Sequence, residues 1–319
     1  MQPSARVLAF LGLFLVSGIA GAQGYPSRPI RLLVPFPPGA ASDAVARSYS
    51  QKLGEVLGQQ IIVDYKAGAG GSIGAAEVAR AAPDGYTLLQ VWDTHAVNHY
   101  VYSVQYDFFK SFEPISLLVQ GPGILVAHPG FPASTLKALI DYAKANPGKV
   151  TYGSAGVGSS NHLSGLLFSQ MAGVRMTHVP YKGGGPLITD IVGGHLDIVF
   201  GSVASLEPYV KSARLKGIAV LSRERLPAFS DLPAASETVP GFELKTWFGL
   251  LAPGGTPKDL VARLSREVAR ALGDAEVKER LGNRGLDVVA SSSEFFAGFL
   301  KRESDNLGRV IRDAGIKPE

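Results

Sequence analysis

The run Ile30-Arg31-Leu32-Leu33-Val34-Pro35-Phe36-Pro37-Pro38-Gly39-Ala40-Ala41-Ser42-Asp43 decides the fold class. Ile30 to Phe36 has the length and apolar content of a buried strand. Pro37, Pro38 and Gly39 break it, and Ser42 or Asp43 then caps a helix that runs to about Leu57. Ile61 to Tyr65 starts the pattern again. It leads into the glycine-rich Ala67 to Gly74, a helix from about Ile73 to Ala81, the turn Pro83-Asp84-Gly85 and a strand over Thr87 to Trp92. Strand, helix, strand, helix, strand is one βαβαβ unit, so the class is α/β.

Further along, two short strands flank Gly121-Pro122-Gly123 between Ile115 and Ala127, and a second series follows. The spacing predicts helix Ser134 to Asn146, strand Val150 to Tyr152, helix Asn161 to Met171, strand Met176 to Val179, helix Pro186 to Val192, and strands at Leu196 to Phe200 and Gly217 to Leu221. Trp247 to Ala252 leads out as a strand. The C-terminal stretch is helical, with apolar spacing through Leu260, Leu264, Val268 and Leu272, then helices Ala275 to Leu281 and Ser293 to about Ala314 that pack back on the first unit. The chain thus divides into an export signal at 1–22, a first domain of 23–124 plus 249–319, and a second of 125–248. Two crossings, near 125 and 248, make a hinged pair with a shared crevice, built to close on a ligand.

Composition narrows the function. Lys plus Arg number 31 against 27 Asp plus Glu, a net of +4, and charged residues are 18% of the 319. No basic stripe with interleaved aromatics stands out, so nucleic acid is not an expected partner. Cysteine is absent, which removes disulfides, thiolate nucleophiles and cysteine-ligated metals. Met1 to Arg6 carries one cation, Val7 to Ala20 is apolar, and Ala20-Gly21-Ala22 offers a cleavage site, the pattern of a secretory signal. The apolar run is shorter than the roughly 20 residues that span a bilayer. A Gram-negative periplasm is the expected destination.

Three loops join a strand to a helix start through glycine: Pro37 to Asp43, Ala67 to Gly74, and Ser154 to His162. Each is a potential anion seat, because first-turn N–H groups carry about half a positive charge and glycine lets an oxygen approach. Ser42, Ser159 and Ser160 offer hydroxyls, and His162 a further donor. The same loops also serve simply as tight turns and caps. No glycine-rich loop ends in Lys-Ser or Lys-Thr, and Ile73 stands where a dinucleotide fingerprint needs glycine, so a carboxylate fits better than a phosphate. Gly70-Gly71-Ser72-Ile73-Gly74 matches a serine-hydrolase elbow, which makes Ser72 a rival nucleophile, although no oxyanion loop precedes it. His95 and His99 are spaced to share a helix face, but no third metal ligand is near. No cofactor or metal is expected.

Several segments resemble, in order, the periplasmic solute-binding receptors of tripartite tricarboxylate transporters, the Bug family. They are Tyr25 to Ile30, Val34 to Gly39, Ala67 to Ala75, Ala82 to Leu89, His178 to Gly183 and Leu251 to Pro253. The resemblance implies a two-domain periplasmic-binding-protein (Venus flytrap) fold with the ligand cleft between the domains. It further implies a monomer that holds a small organic carboxylate at helix N-termini and passes it to membrane transporter subunits without chemistry. By the same resemblance the ligand-binding residues are Phe36, Gly39, Ser42, Asp43, Thr94, Ser154, Ser159, His162 and Tyr181. Asp43 could instead serve only as an N-cap. Departures bear on the ligand: Ala40 replaces a second glycine, and Trp92-Asp93 replaces small residues. Gly201-Ser202 stands where Asp or Asn is common, which leaves Gly201 to line the cleft and points to a ligand without an ammonium group, aromatic carboxylates included. A ligand-sensing module for a membrane kinase would use the same architecture.

Overall fold

The computed structural model describes residues 24–39, 41–181 and 183–318; the expected export signal lies outside them. The first unit is β1 (Ile30–Val34), α1 (Ala41–Leu57), β2 (Ile61–Tyr65), α2 (Ser72–Val78) and β3 (Thr87–Trp92), followed by a 3-10 turn at Asp93–Ala96 and the short α3 (Asn98–Val101). Then come β4 (Phe112–Ala127), α4 (Leu136–Ala145), β5 (Thr151–Ser154), α5 (Ser160–Ala172), β6 (Thr177–Pro180), α6 (Gly184–Gly193), β7 (Ile198–Ser202), α7 (Val203–Lys211) and β8 (Lys216–Val220). The chain returns through β9 (Lys245–Pro253) to α8 (Lys258–Leu272), α9 (Ala275–Gly282), β10 (Asp287–Val288) and α10 (Ser293–Asp313).

β1 lies between β2 and β3, all parallel, and β9 then pairs antiparallel with both β3 and β4. On the other side β5 lies between β6 and β7, parallel to each, and β4 pairs antiparallel with β7 and β8. β4 belongs to both sets: Phe112 to Pro122 pairs with β9, and Gly123 to Ala127 with β7. Two short strands interrupted by Gly121-Pro122-Gly123 were expected here, and a single strand of 16 residues runs through instead. Proline, with no N–H to give, is tolerated because the strand changes partner at this point. Gly121 is required for space, since a Cβ there would sit 2.7 Å from Leu286 Cδ2 and 2.8 Å from the Gly285 carbonyl.

Two other expectations need correction. α1 begins at Ala41, so Ser42 and Asp43 occupy its first turn rather than its cap, and Asp43 reaches back to accept from the Gly39 N–H at 2.8 Å. No helix is expected between Phe200 and Gly217, yet α7 forms there with Pro208 inside it. Its Ser202 side chain caps it by accepting from the Ser205 N–H, which starts the helix in spite of the proline within it.

The apolar alternation of the parallel strands fills two layers on each side. Leu32 and Val34 pack with Val45 and Tyr49 of α1 and with Leu264 and Val268 of α8, while Leu33 and Leu89 face Phe296 and Leu300 of α10. In the other lobe Ile198 and Phe200 pack under α4 and α5, and Val199 under α6 and α7. The C-terminal half of α10 does more than return to the first unit. Leu307 and Ile311 join Val97, Val101 and Leu163 in an apolar cluster shared with α5, so the two lobes touch outside the connecting strands.

Candidate functional site

The C-terminal ends of β1, β2 and β3 form one rim of the crevice. Phe36, two residues past β1, sets its half-buried ring edge-on against Trp92 (5.5 Å) and His95 (5.8 Å). Trp92 in turn stacks on Phe248 at 5.5 Å and donates from Nε1 to Thr246 Oγ1 at 2.7 Å. Its bulk is therefore absorbed by β9, the strand that brings the chain back. Thr94 sits in the 3-10 turn beside Gly70, whose carbonyl also accepts from Asn98 Nδ2 at 3.0 Å. Gly71 is held at φ 93°, and a Cβ there would lie 2.6 Å from His95 Nε2. Conformation and packing thus account for that glycine without any ligand.

Two expected contributors on this rim are committed elsewhere. The Ser42 hydroxyl is fully buried and takes a hydrogen bond from Gln90 Nε2 at 2.9 Å. The Asp43 carboxylate accepts from Gly39 N–H, Arg47 Nε (2.7 Å) and Tyr65 OH (2.6 Å). Its pKa is held below the usual range because these hydrogen bonds outweigh its burial. Asp43 fixes the turn that carries Gly39 and has little accepting capacity left. Ser72 is buried in the first turn of α2. His95 and His99 lie on different elements, and no group of three or more metal-ligating side chains occurs among the described residues.

The opposite rim is the loop from Ser154 to His162. Ser154 Oγ, inside the protein, donates to the Gly156 carbonyl (3.0 Å) and lies 2.6 Å from His178 Nε2. Ser159 precedes α5, but its hydroxyl donates back to Gly156 O at 2.6 Å, so no side chain caps α5. His162 Nδ1 accepts from the Gly158 N–H at 3.1 Å, which places its ring proton on Nε2. Burial, with His178 stacked 3.9 Å away, pushes His162 down to about 3, and burial pushes His178 to about 4; both rings are neutral near pH 7. Tyr181 OH donates a hydrogen bond to Asp190 Oδ2 (2.7 Å), anchoring the β6–α6 loop. Gly201 is buried, and a Cβ there would come within 2.6 Å of Leu206 Cδ1, so a side chain at that point of β7 would require Leu206 to shift.

Phe36 and Thr94 thus stand on one rim and Ser154, Ser159 and His162 on the other. Tyr102 OH donates to Val157 O at 3.2 Å across the crevice, and Thr94 and Ser160 line one cavity. His178, which packs on this rim, is not among the residues expected to bind the ligand. Its only signal was its place in the segment His178 to Gly183, because nothing in the spacing relates it to Ser154 24 positions earlier.

Helix starts divide by whether a side chain caps them, and α8, which begins after Pro257, has no such cap. Thr135, Asp274 and Ser292 cap α4, α9 and α10 with their own side chains, as Ser202 caps α7. No side chain caps α2, α5 or α6, which follow β2, β5 and β6. Their first-turn amides are left for another acceptor.

Two α/β lobes joined by a shared strand and a return strand, with helix starts at the crevice, define the periplasmic-binding-protein fold. A family model described as "Tripartite tricarboxylate transporter family receptor" matches residues 45–316. The chain belongs to that family. It is 37% identical over 312 residues to the "UPF0065 protein in tcbD-tcbE intergenic region" of Pseudomonas sp. (strain P51), covering 96% of this chain and 93% of the relative. It is 34% identical to "Protein BugT" of Bordetella pertussis, covering 98% of each. Among solved structures, Rpa4515 of R. palustris with adipate superposes with a TM-score of 0.83 at 33% identity, covering 92% of this chain and all of that one. MatC of Rhodopseudomonas palustris with bound malate gives 0.80 at 32%, covering 90% and 100%. No helix among the described residues is long and apolar enough to cross a membrane.

Proposed function

We propose that the protein is a monomeric periplasmic receptor that captures a small organic carboxylate between lobes 23–124 plus 249–319 and 125–248. It releases the acid unchanged to the membrane subunits of a tripartite tricarboxylate-type transporter. The signal read at Ala20-Gly21-Ala22 supports the compartment. The observation that carries the reading is the start of α5. Its first-turn amides have no side-chain cap, Ser159 is turned away, and His162 offers an Nε2–H rather than a charge. Such a seat favours a planar anion that binds and leaves, because amide dipoles attract a carboxylate without the deep hold of a buried lysine. Phe36 and Thr94 close the facing rim over the bound acid. The adipate and malate carried by two relatives of the same fold support a carboxylate of that size.

Calorimetric titration of the mature protein with adipate, malate and aromatic monocarboxylates, each beside its neutral amide, tests this. Heat from an acid and not from its amide is the expected result. An amide that binds as tightly as its acid, or a refolded protein that binds no acid, overturns the reading.

A further inference from the structure

A groove of about 660 Å³ runs between α5 and α10. Leu163, Leu167 and Met171 of α5 line one wall and Leu307 and Val310 of α10 the other. Its inner end is polar in an unusual way. Asp93 is only 5% exposed; its Oδ2 accepts from Thr246 Oγ1 at 3.2 Å, while Oδ1 makes no hydrogen bond. Glu303 of α10 reaches the same end, where Trp247 Nε1 donates to its Oε2 at a long 3.3 Å. Gln120 is Trp247's partner across the ladder, Asp93, Glu303 and Gln120 all line the groove, and the charge of Glu303 is felt at Asp93.

A buried carboxyl oxygen without a donor is costly, and an acid pair doubles the problem. Lys245 does not meet the need, since Glu243 holds it at 2.8 Å. We propose that this groove is a second binding site that takes a primary ammonium on an alkyl stem. The ammonium sits between Asp93, Glu303 and Gln120, and the stem lies along Leu163, Leu167 and Met171. Three N–H donors match three acceptors. A divalent cation fits less well, because two carboxylates and an amide fall short of its oxygen shell and leave the aliphatic wall unused.

The protonation states agree. Burial, with the field of Glu303 added, pushes Asp93 up to about 8, and burial also raises Glu303. Arg309 and Asp313 from α10, with Glu243 and Lys245 before and on β9, are the other charged groups along the groove. An ammonium therefore has to draw a proton off the pair, and its binding strengthens as pH rises. The groove adjoins the crevice, since Thr94 and Ser160 line it as well, but the acid pair at its inner end is not among the groups that hold the proposed carboxylate.

The probe is n-hexylamine, followed by the intrinsic fluorescence of Trp92 and Trp247 and by calorimetry, with 1-hexanol as the neutral control. Hexylamine should bind and hexanol should not. Asp93→Asn and Glu303→Gln should each weaken hexylamine binding about tenfold or more, the scale of a lost charged hydrogen bond. In the wild type the affinity should rise between about pH 6.5 and about pH 9, where an alkylammonium stays protonated. Hexanol binding as well as hexylamine, an affinity indifferent to both substitutions, or no hexylamine binding at any pH overturns the proposal. If neither variant folds, the wild-type pH series decides, and a flat series counts against the site.

Discussion

His162 and His178 lie ring on ring, 3.9 Å between centroids and 19° from parallel, with the Gly158 N–H on one and Ser154 Oγ on the other. Neither ring can gain a proton without placing a charge in a buried stack. In the folded protein they titrate at about 3 and about 4, against 6.5 for a free imidazole. Between those values the unfolded chain binds the protons and the fold does not, so stability is complete above about pH 6.5 and falls as pH drops toward 4. Melting curves across that range should show a steeper acid loss in the wild type than in a His162→Phe, His178→Phe variant. Equal slopes would remove the histidines from the account.

Asp93 has the opposite sign. Its carboxyl is protonated in the fold up to about pH 8, while in the unfolded chain it ionises near 3.8. The fold therefore holds the extra proton between these limits, and the contribution declines as pH rises through them. Asp93→Asn should raise the melting temperature at pH 9 and change it little at pH 5. A shift of the same size at both values would mean that the proton is not the cause.

At the start of α5, stability and binding should separate. Ser159→Asp supplies the missing cap and favours the helix dipole, a gain of about 0.5–1 kcal/mol. The same carboxylate occupies the seat proposed for the ligand, so affinity for the acid should fall about tenfold or more. Denaturant titration and calorimetry on one sample read both effects. Undiminished binding in a stabilised variant would move the ligand away from α5.

Ser42→Ala offers a contrast. It removes an acceptor from the buried Gln90 amide, which should cost about 1 kcal/mol of stability, while the dissociation constant of the bound acid stays where it was. A weakened affinity with unchanged stability would return Ser42 to the ligand.

Gly71→Ala tests the packing explanation of the glycine-rich loop. With φ at 93° and His95 Nε2 2.6 Å from the added methyl, a loss of about 1–3 kcal/mol is expected by chemical denaturation. A neutral result would show that the loop yields easily.

Much of the fold was legible because local patterning and tertiary structure agree in the parallel strands: the run Ile30 to Val34 and the strand Thr87 to Trp92 stand where the apolar pattern puts them. Reading failed where the partner of a segment decides. Gly121-Pro122-Gly123 looks like a break and is the point where β4 changes neighbours. At the crevice, the position of serines and acids was legible and their direction was not. Ser42 and Asp43 carry the right groups, but Gln90, Arg47 and Tyr65, remote or on another turn, turn those groups away. His178 carried only its place in the segment His178 to Gly183.

The continuity of β4 sets how the molecule can move. A loop between the lobes would let them drift in any direction. A strand laced to β9 on one side of Pro122 and to β7 on the other behaves as a torsion bar, and the lobes turn mainly by twisting it. Any rotation of one lobe against the other then has to pass through this strand as twist.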